Sequence, residues 1–142
     1  MKLLVPVDGS PASSRAIKLA IDQAKTLPGA SLIIVNVQNR ATLGLAEGAG
    51  IMPIAWIEQE EERATTEALQ EAVTACREAG VTYATRSERG AVAATIDRVA
   101  REEHAAQIIM GTRGLGGVRG LLLGSVAMQL LHVTDVPVTL VK

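Results

Sequence analysis

Ser31 to Val37 reads Ser-Leu-Ile-Ile-Val-Asn-Val, apolar from Leu32 onward apart from Asn36, and it stands between two stretches of helical period. A strand with one wet face alternates apolar and polar residues, whereas a short unbroken run of this kind suits a strand buried on both faces of a parallel sheet. Parallel neighbours are joined by crossovers, so such a strand requires helices before and after it.

The rest of the chain supplies them. Lys2 to Val7 forms a first strand ending at Asp8-Gly9-Ser10-Pro11, where Ser10 suits a helix N-cap and Pro11 the first helical position. Ala16, Ile17, Ala20, Ile21, Ala24 and Leu27 then share one helical face, and Pro28-Gly29 stops the helix. Asn39 to Pro53 is a Gly- and Ala-rich connection without a clear period. Ile54 to Ala79 returns to helical spacing, with Ile57, Ala64, Ala68, Leu69, Ala72, Val73 and Cys76 as its apolar stripe and Gly80 as its end. Val81 to Ser87 reads as a strand and Ala91 to His104 as a helix with Ile96, Val99 and Ala100 inward. Ala105 to Gly111 is a strand, Ser125 to His132 a helix and Pro137 to Val141 a last strand. Five strands alternating with four helices predict an α/β fold, a five-stranded, mainly parallel open sheet with helices on both faces, in one domain spanning 1–142.

Composition removes several function classes. Lys plus Arg is 14 and Asp plus Glu is 15, a formal charge of −1, which leaves no basic footprint for nucleic acid or for an anionic membrane. With no Phe, one Trp (Trp56) and one Tyr (Tyr83), the chain lacks the aromatic platforms that stack single-stranded bases. Any ring it holds must lie between aliphatic walls. Its single cysteine, Cys76, makes no internal disulfide and falls on an apolar helix stripe as a core residue. No segment reaches the about 18 apolar residues of a membrane span and no secretory h-region is present, so a cytoplasmic location is expected. His104 and His132 stand at helix ends, where a cation favours the dipole. Glu58 to Arg63 is a solvated charge run, and no Ser-His-Asp order or metal-ligand spacing occurs.

The chemistry concentrates between Met110 and Val126. There a strand leads into a Gly-rich loop with two arginines, Arg113 and Arg119, and then into Gly124-Ser125 before a helix. Such a turn offers backbone N–H groups and a helix N-terminus to a phosphate, although a Gly-rich surface loop with turn geometry alone reads the same way. The Gly-x4-Gly-Lys-Ser/Thr and Gly-x-Gly-x-x-Gly patterns are both missing, so neither a P-loop lysine nor a dinucleotide fingerprint is available. The first strand ends at Asp8-Gly9 and the fourth at Gly111, which puts both loops at the carboxyl rim where open sheets of this class bind ligands.

On these residues the chain resembles the universal stress protein family over essentially its whole length. Val5-Pro6-Val7-Asp8-Gly9-Ser10 is similar to the family's opening strand and turn, and Val136-Pro137-Val138-Thr139-Leu140-Val141 to its closing strand. Gly111-x2-Gly114-x9-Gly124-Ser125 is similar to the signature of its ATP-binding branch. The resemblance implies a Rossmann-like, adenine nucleotide alpha hydrolase-like fold. It also implies that Gly111, Gly114, Gly124 and Ser125 surround the phosphates, with the amides of Ser125 and Val126 at the helix start. Pro6 and Val37 would flank the adenine, Met110 would line the same pocket or else serve the core, and Val7 is counted with the ATP-binding residues. Asp8 would lie beside ribose and phosphates, with Mg²⁺ as intermediary, or else cap local N–H groups. Arg113 stands where relatives often carry histidine; it pairs with a phosphate or stays solvated. Val92 replaces the proline of the family's Gly-x-Pro before the third helix, so that helix start is less rigidly set and the resemblance assigns no ribose contact to that turn.

The function so implied is an ATP-binding, nucleotide-responsive regulator of the stress response. It works as a homodimer through the C-terminal strand, with ATP (or AMP or ADP) and Mg²⁺ as ligands. A slow ATPase or self-phosphorylating protein is the enzymatic alternative, and a nucleotide-free interaction module is a third.

Overall fold

The computed structural model describes residues 1–39, 53–114 and 122–142. In chain order its elements are β1 (Lys2–Pro6), α1 (Pro11–Thr26), β2 (Ser31–Gln38), α2 (Ile54–Ala79) and β3 (Tyr83–Arg89). They continue with α3 (Val92–Glu102), β4 (Gln107–Gly111), α4 (Ser125–Val133) and β5 (Val138–Val141). The strands form one sheet in the order β3-β2-β1-β4-β5, and every neighbouring pair is parallel. The chain steps outward from β1 through β2 to β3, then returns to β4 on the other side of β1. Strand order therefore reverses between β1 and β4, the place where such sheets leave a crevice.

The pleat distributes the core to both faces. Leu3, Val5, Leu32 and Ile34 pack with Ala16, Ala20 and Ile21 of α1 and Ala68, Ala72 and Cys76 of α2. Leu4, Ile33, Val35 and Ile108 pack with Ile96 and Val99 of α3 and Ala127 and Leu130 of α4. Leu3, Leu4 and Val5 of the central strand are all fully buried, each contributing about 2 kcal/mol of transfer free energy. The edge strand β3 is tied to α3 by two ion pairs, Arg86 with Glu102 (2.9 Å) and Arg98 with Glu88 (2.8 Å), and Arg86–Glu88 (2.7 Å) within β3 and Arg98–Glu102 (2.6 Å) within α3 join them into one network.

Several limits differ from the sequence reading. β3 runs from Tyr83 to Arg89 rather than Val81 to Ser87, because the Val81 amide bonds to the Cys76 carbonyl and the Gly80 amide to that of Arg77. This Schellman closure, with Gly80 at φ 69°, commits Val81 to the end of α2. The same device closes α3 at Glu102. His104 adopts φ 52° while Ala105 N–H bonds to the Ala100 carbonyl, so β4 starts at Gln107 and not Ala105. β1 stops at Pro6, β2 extends to Gln38, and β5 begins at Val138. Leu27 caps α1 and is exposed instead of closing its stripe, and on α2 the inward residue is Thr65, with Ala64 exposed. Residues 40–52 of the Gly/Ala-rich connection lie outside the described residues.

Candidate functional site

Where the carboxyl ends of β1 and β4 part, a cavity of about 360 Å³ opens at the rim. Pro6, Val7 and Asp8 reach it from the end of β1, and Val37 from β2. Met110, Gly111, Arg113 and Gly114 come from β4 and the turn after it, and Gly124, Ser125 and Val126 from the start of α4. The eleven residues that the resemblance assigns to the nucleotide thus line one cavity. Arg119, in the middle of the Gly-rich loop, lies outside the described residues.

One part of the wall is aliphatic. Pro6, Val35, Val37, Val92, Ile96 and Met110 all face the cavity, the kind of lining that a chain without Phe must use for a flat ring. Sequence reasoning missed Val35, Val92 and Ile96. Val35 lies two residues before Val37 on the same strand face, and Ile96 follows Val92 by one helical turn. Val92, read from the sequence as a departure, is the first residue of α3 after an Ala91 N-cap with no side-chain bond.

The other part is polar and is built from backbone. Gly124 precedes α4 in extended conformation (φ −73°, ψ 163°) and gives no side-chain cap. The first N–H groups of a helix have no partner within it, and Ser125, Val126 and Ala127, which carry them here, line the cavity. A helix start of this kind has a partial positive charge that suits an anion. The start of α1 is treated differently. Ser10 Oγ accepts the Ser13 amide (3.2 Å) and Asp8 Oδ1 accepts the Ser10 amide (2.9 Å), so α1 is capped by its own residues.

Close packing explains two of the glycines. A Cβ on Gly111 would stand 2.6 Å from Ala12 Cβ and 2.9 Å from the Ala12 carbonyl carbon, so the end of β4 meets α1 nearly backbone to backbone. A Cβ on Gly114 would stand 2.5 Å from Asp8 Oδ2. The Gly124 amide donates to the Thr112 carbonyl (2.7 Å), which draws together the two ends of the Gly-rich loop. Asp8 and Arg113 are both exposed at this rim, and Asp8 is the one carboxylate among the described lining residues. Ser10, Ser13 and Thr112 add hydroxyls that the sequence reading left out.

The remaining candidates lie elsewhere. His104 follows α3, His132 is exposed in the last turn of α4, and neither lines the cavity. Cys76 is fully buried between α1, α2 and the sheet, and burial pushes its thiol pKa up, away from the reactive thiolate. Among the described residues no cluster of three or more His, Cys, Asp or Glu forms a metal site, and no helix is long and apolar enough to cross a membrane.

The model of the universal stress protein family matches residues 1–142. The chain belongs to the universal stress protein family. Among curated members it is 34% identical over 142 residues to universal stress protein MJ0531 of Methanocaldococcus jannaschii, covering 99% of this chain and 81% of that one. It is 30% identical over 146 residues to universal stress protein YxiE of Bacillus subtilis, covering 99% and 98%. Among solved structures, hypothetical protein MJ0577 superposes with a TM-score of 0.84 at 23% identity, over 99% of this chain and 94% of that one. A universal stress protein from Archaeoglobus fulgidus in complex with dAMP gives 0.72 at 23% identity, over 100% and 98%. One in complex with cAMP gives 0.65 at 24%, over 100% and 96%. The likeness to these structures is one of fold: the parallel Rossmann-like sheet is that of universal stress proteins.

Proposed function

We propose that this universal stress protein binds ATP with Mg²⁺ in the rim cavity and acts as a cytoplasmic, homodimeric, nucleotide-responsive regulator in the stress response. The carrying observation is the start of α4, which no side chain caps and whose first residues line a cavity with an aliphatic opposite wall. One end suits phosphate and the other a purine ring. The dAMP and cAMP complexes of family members support an adenine nucleotide as the ligand class.

The donor set fits Mg²⁺ in the way phosphate-bound Mg²⁺ is usually held, by one carboxylate together with phosphate oxygens and water. Asp8 is the residue that would hold it, and the ion would supply charge neutralisation at the phosphates. Asp8 is the one carboxylate among the described lining residues and already accepts the Ser10 amide, an arrangement that suits holding a ligand in place. Homodimer formation draws its support from β5, an edge strand in the sheet order. Exposed Met128, Leu131 and Val133 lie on the preceding helix.

Titration calorimetry with ATP and AMP, each with and without Mg²⁺, tests the reading. ATP is expected to bind, and Mg²⁺ to tighten ATP in the wild type but not in Asp8→Asn. Absence of binding by either nucleotide overturns it.

A further inference from the structure

Behind the cavity, on the opposite face of the sheet, three polar side chains form a connected set of hydrogen bonds. Asn36 and Thr65 are each only 7% exposed. The Thr65 hydroxyl of α2 donates to Asn36 Oδ1 (3.0 Å), and Asn36 Nδ2 donates to the Val7 carbonyl (2.7 Å). Gln38 Nε2 donates to the same Thr65 Oγ1 and, at 3.4 Å, to the Glu61 carbonyl.

Two relationships connect this set to the cavity. Val37, part of the aliphatic wall, lies between Asn36 and Gln38, and both flanking side chains are anchored on one hydroxyl. Strand alternation turns Val37 to the cavity and its two neighbours to α2. The second concerns Val7, just beyond the last paired residue of β1. Its amide donates to the Val35 carbonyl (2.8 Å), and its carbonyl accepts from the Asn36 carboxamide. The residue before Asp8 is thus fixed on both sides by β2, once by backbone and once by a side chain that Thr65 orients. A buried polar set whose donors and acceptors are matched rigidifies its surroundings, and one missing partner unbalances the rest.

We propose that Thr65 is a positioning residue for the nucleotide. It touches no ligand, yet it holds Val37 and, through Asn36, the Val7–Asp8 turn in the geometry the ligand needs. The inference rests on the reading above that the cavity takes an adenine nucleotide.

The test titrates ATP into the full chain as wild type, Thr65→Val, Thr65→Ser and Ile17→Val. Thr65→Val keeps the shape and removes the hydroxyl; Thr65→Ser restores it. Ile17→Val trims a buried α1 side chain of the same core that does not line the cavity, a control for general loosening. Thr65→Val is expected to weaken ATP about tenfold, Thr65→Ser to recover most of that loss, and Ile17→Val to bind as the wild type does. If the wild type binds ATP and Thr65→Val binds equally well, the positioning role is wrong. It is also wrong if Ile17→Val weakens ATP as much as Thr65→Val, or if Thr65→Ser fails to recover. A wild type that binds no nucleotide overturns the functional reading itself, a separable result.

Discussion

The carboxylate of Asp8 rests against the α-carbon of Gly114, so near that a Cβ there would stand 2.5 Å from Oδ2. One strand end and the turn after another are thereby in direct contact across the switch point of the sheet. The contact explains why position 114 carries no side chain even though its φ lies outside the left-handed region.

Gly114→Ala should therefore displace Asp8 rather than strain the backbone. The expected result is a loss of ATP affinity of about tenfold, or about 1.4 kcal/mol, with a melting temperature close to that of the wild type. Calorimetry beside a thermal melt reads both. Undiminished affinity would show that Asp8 does not need its present position for binding.

The edge strand yields a second expectation. Ile108 N–H bonds to the Pro137 carbonyl and Thr112 N–H to that of Val141, so alternate residues of β5 face β4 and the backbone of Leu140 faces outward. Leu140→Pro removes that outward donor without touching the β4 ladder. Sedimentation at micromolar concentration should show a dimeric wild type and a monomeric variant, with circular dichroism confirming that the variant remains folded. A monomeric wild type would remove the edge-pairing reading.

Acid should weaken the β3–α3 seam. Hydrogen bonds from Arg98 hold Glu88 and Glu102 below the usual carboxylate range, and one from Lys2 does the same for Glu103. A carboxylate whose pKa is lowered by folding stabilises the native state above its unfolded pKa, here an ordinary value of 4.5. That contribution is lost as pH falls through its folded pKa. Melting temperatures taken from pH 6 down to pH 3 should thus fall below about pH 4.5, and less steeply in Arg98→Gln. Equal acid slopes in the two proteins would assign the loss to other groups.

Much of this molecule is legible in its residues, and the illegible parts share a cause. The unbroken run at Ser31–Val37 and the Gly111-x2-Gly114-x9-Gly124-Ser125 spacing are local signals, and they led to the parallel sheet and to the rim. Thr65 was not legible. Ala64 and Thr65 are adjacent on one helix, and only Asn36 and Gln38, far away in sequence, give the hydroxyl a reason to be buried. The limits of β3 likewise depend on hydrogen bonds made elsewhere: the Gly80 closure delays its start, and the ladder with β2 carries it on to Arg89. Val92 misled for another reason, since its departure from a familiar turn drew attention away from where its side chain would lie.

The near-contact of Gly111 with Ala12 carries a last consequence. Two of the smallest residues in the chain meet where the end of β4 passes the start of α1, beside the cavity that Gly111 lines. A single methyl at position 111 would act as a wedge between β4 and α1. The distance of β4 from α1 is thus decided by how closely two backbones can lie.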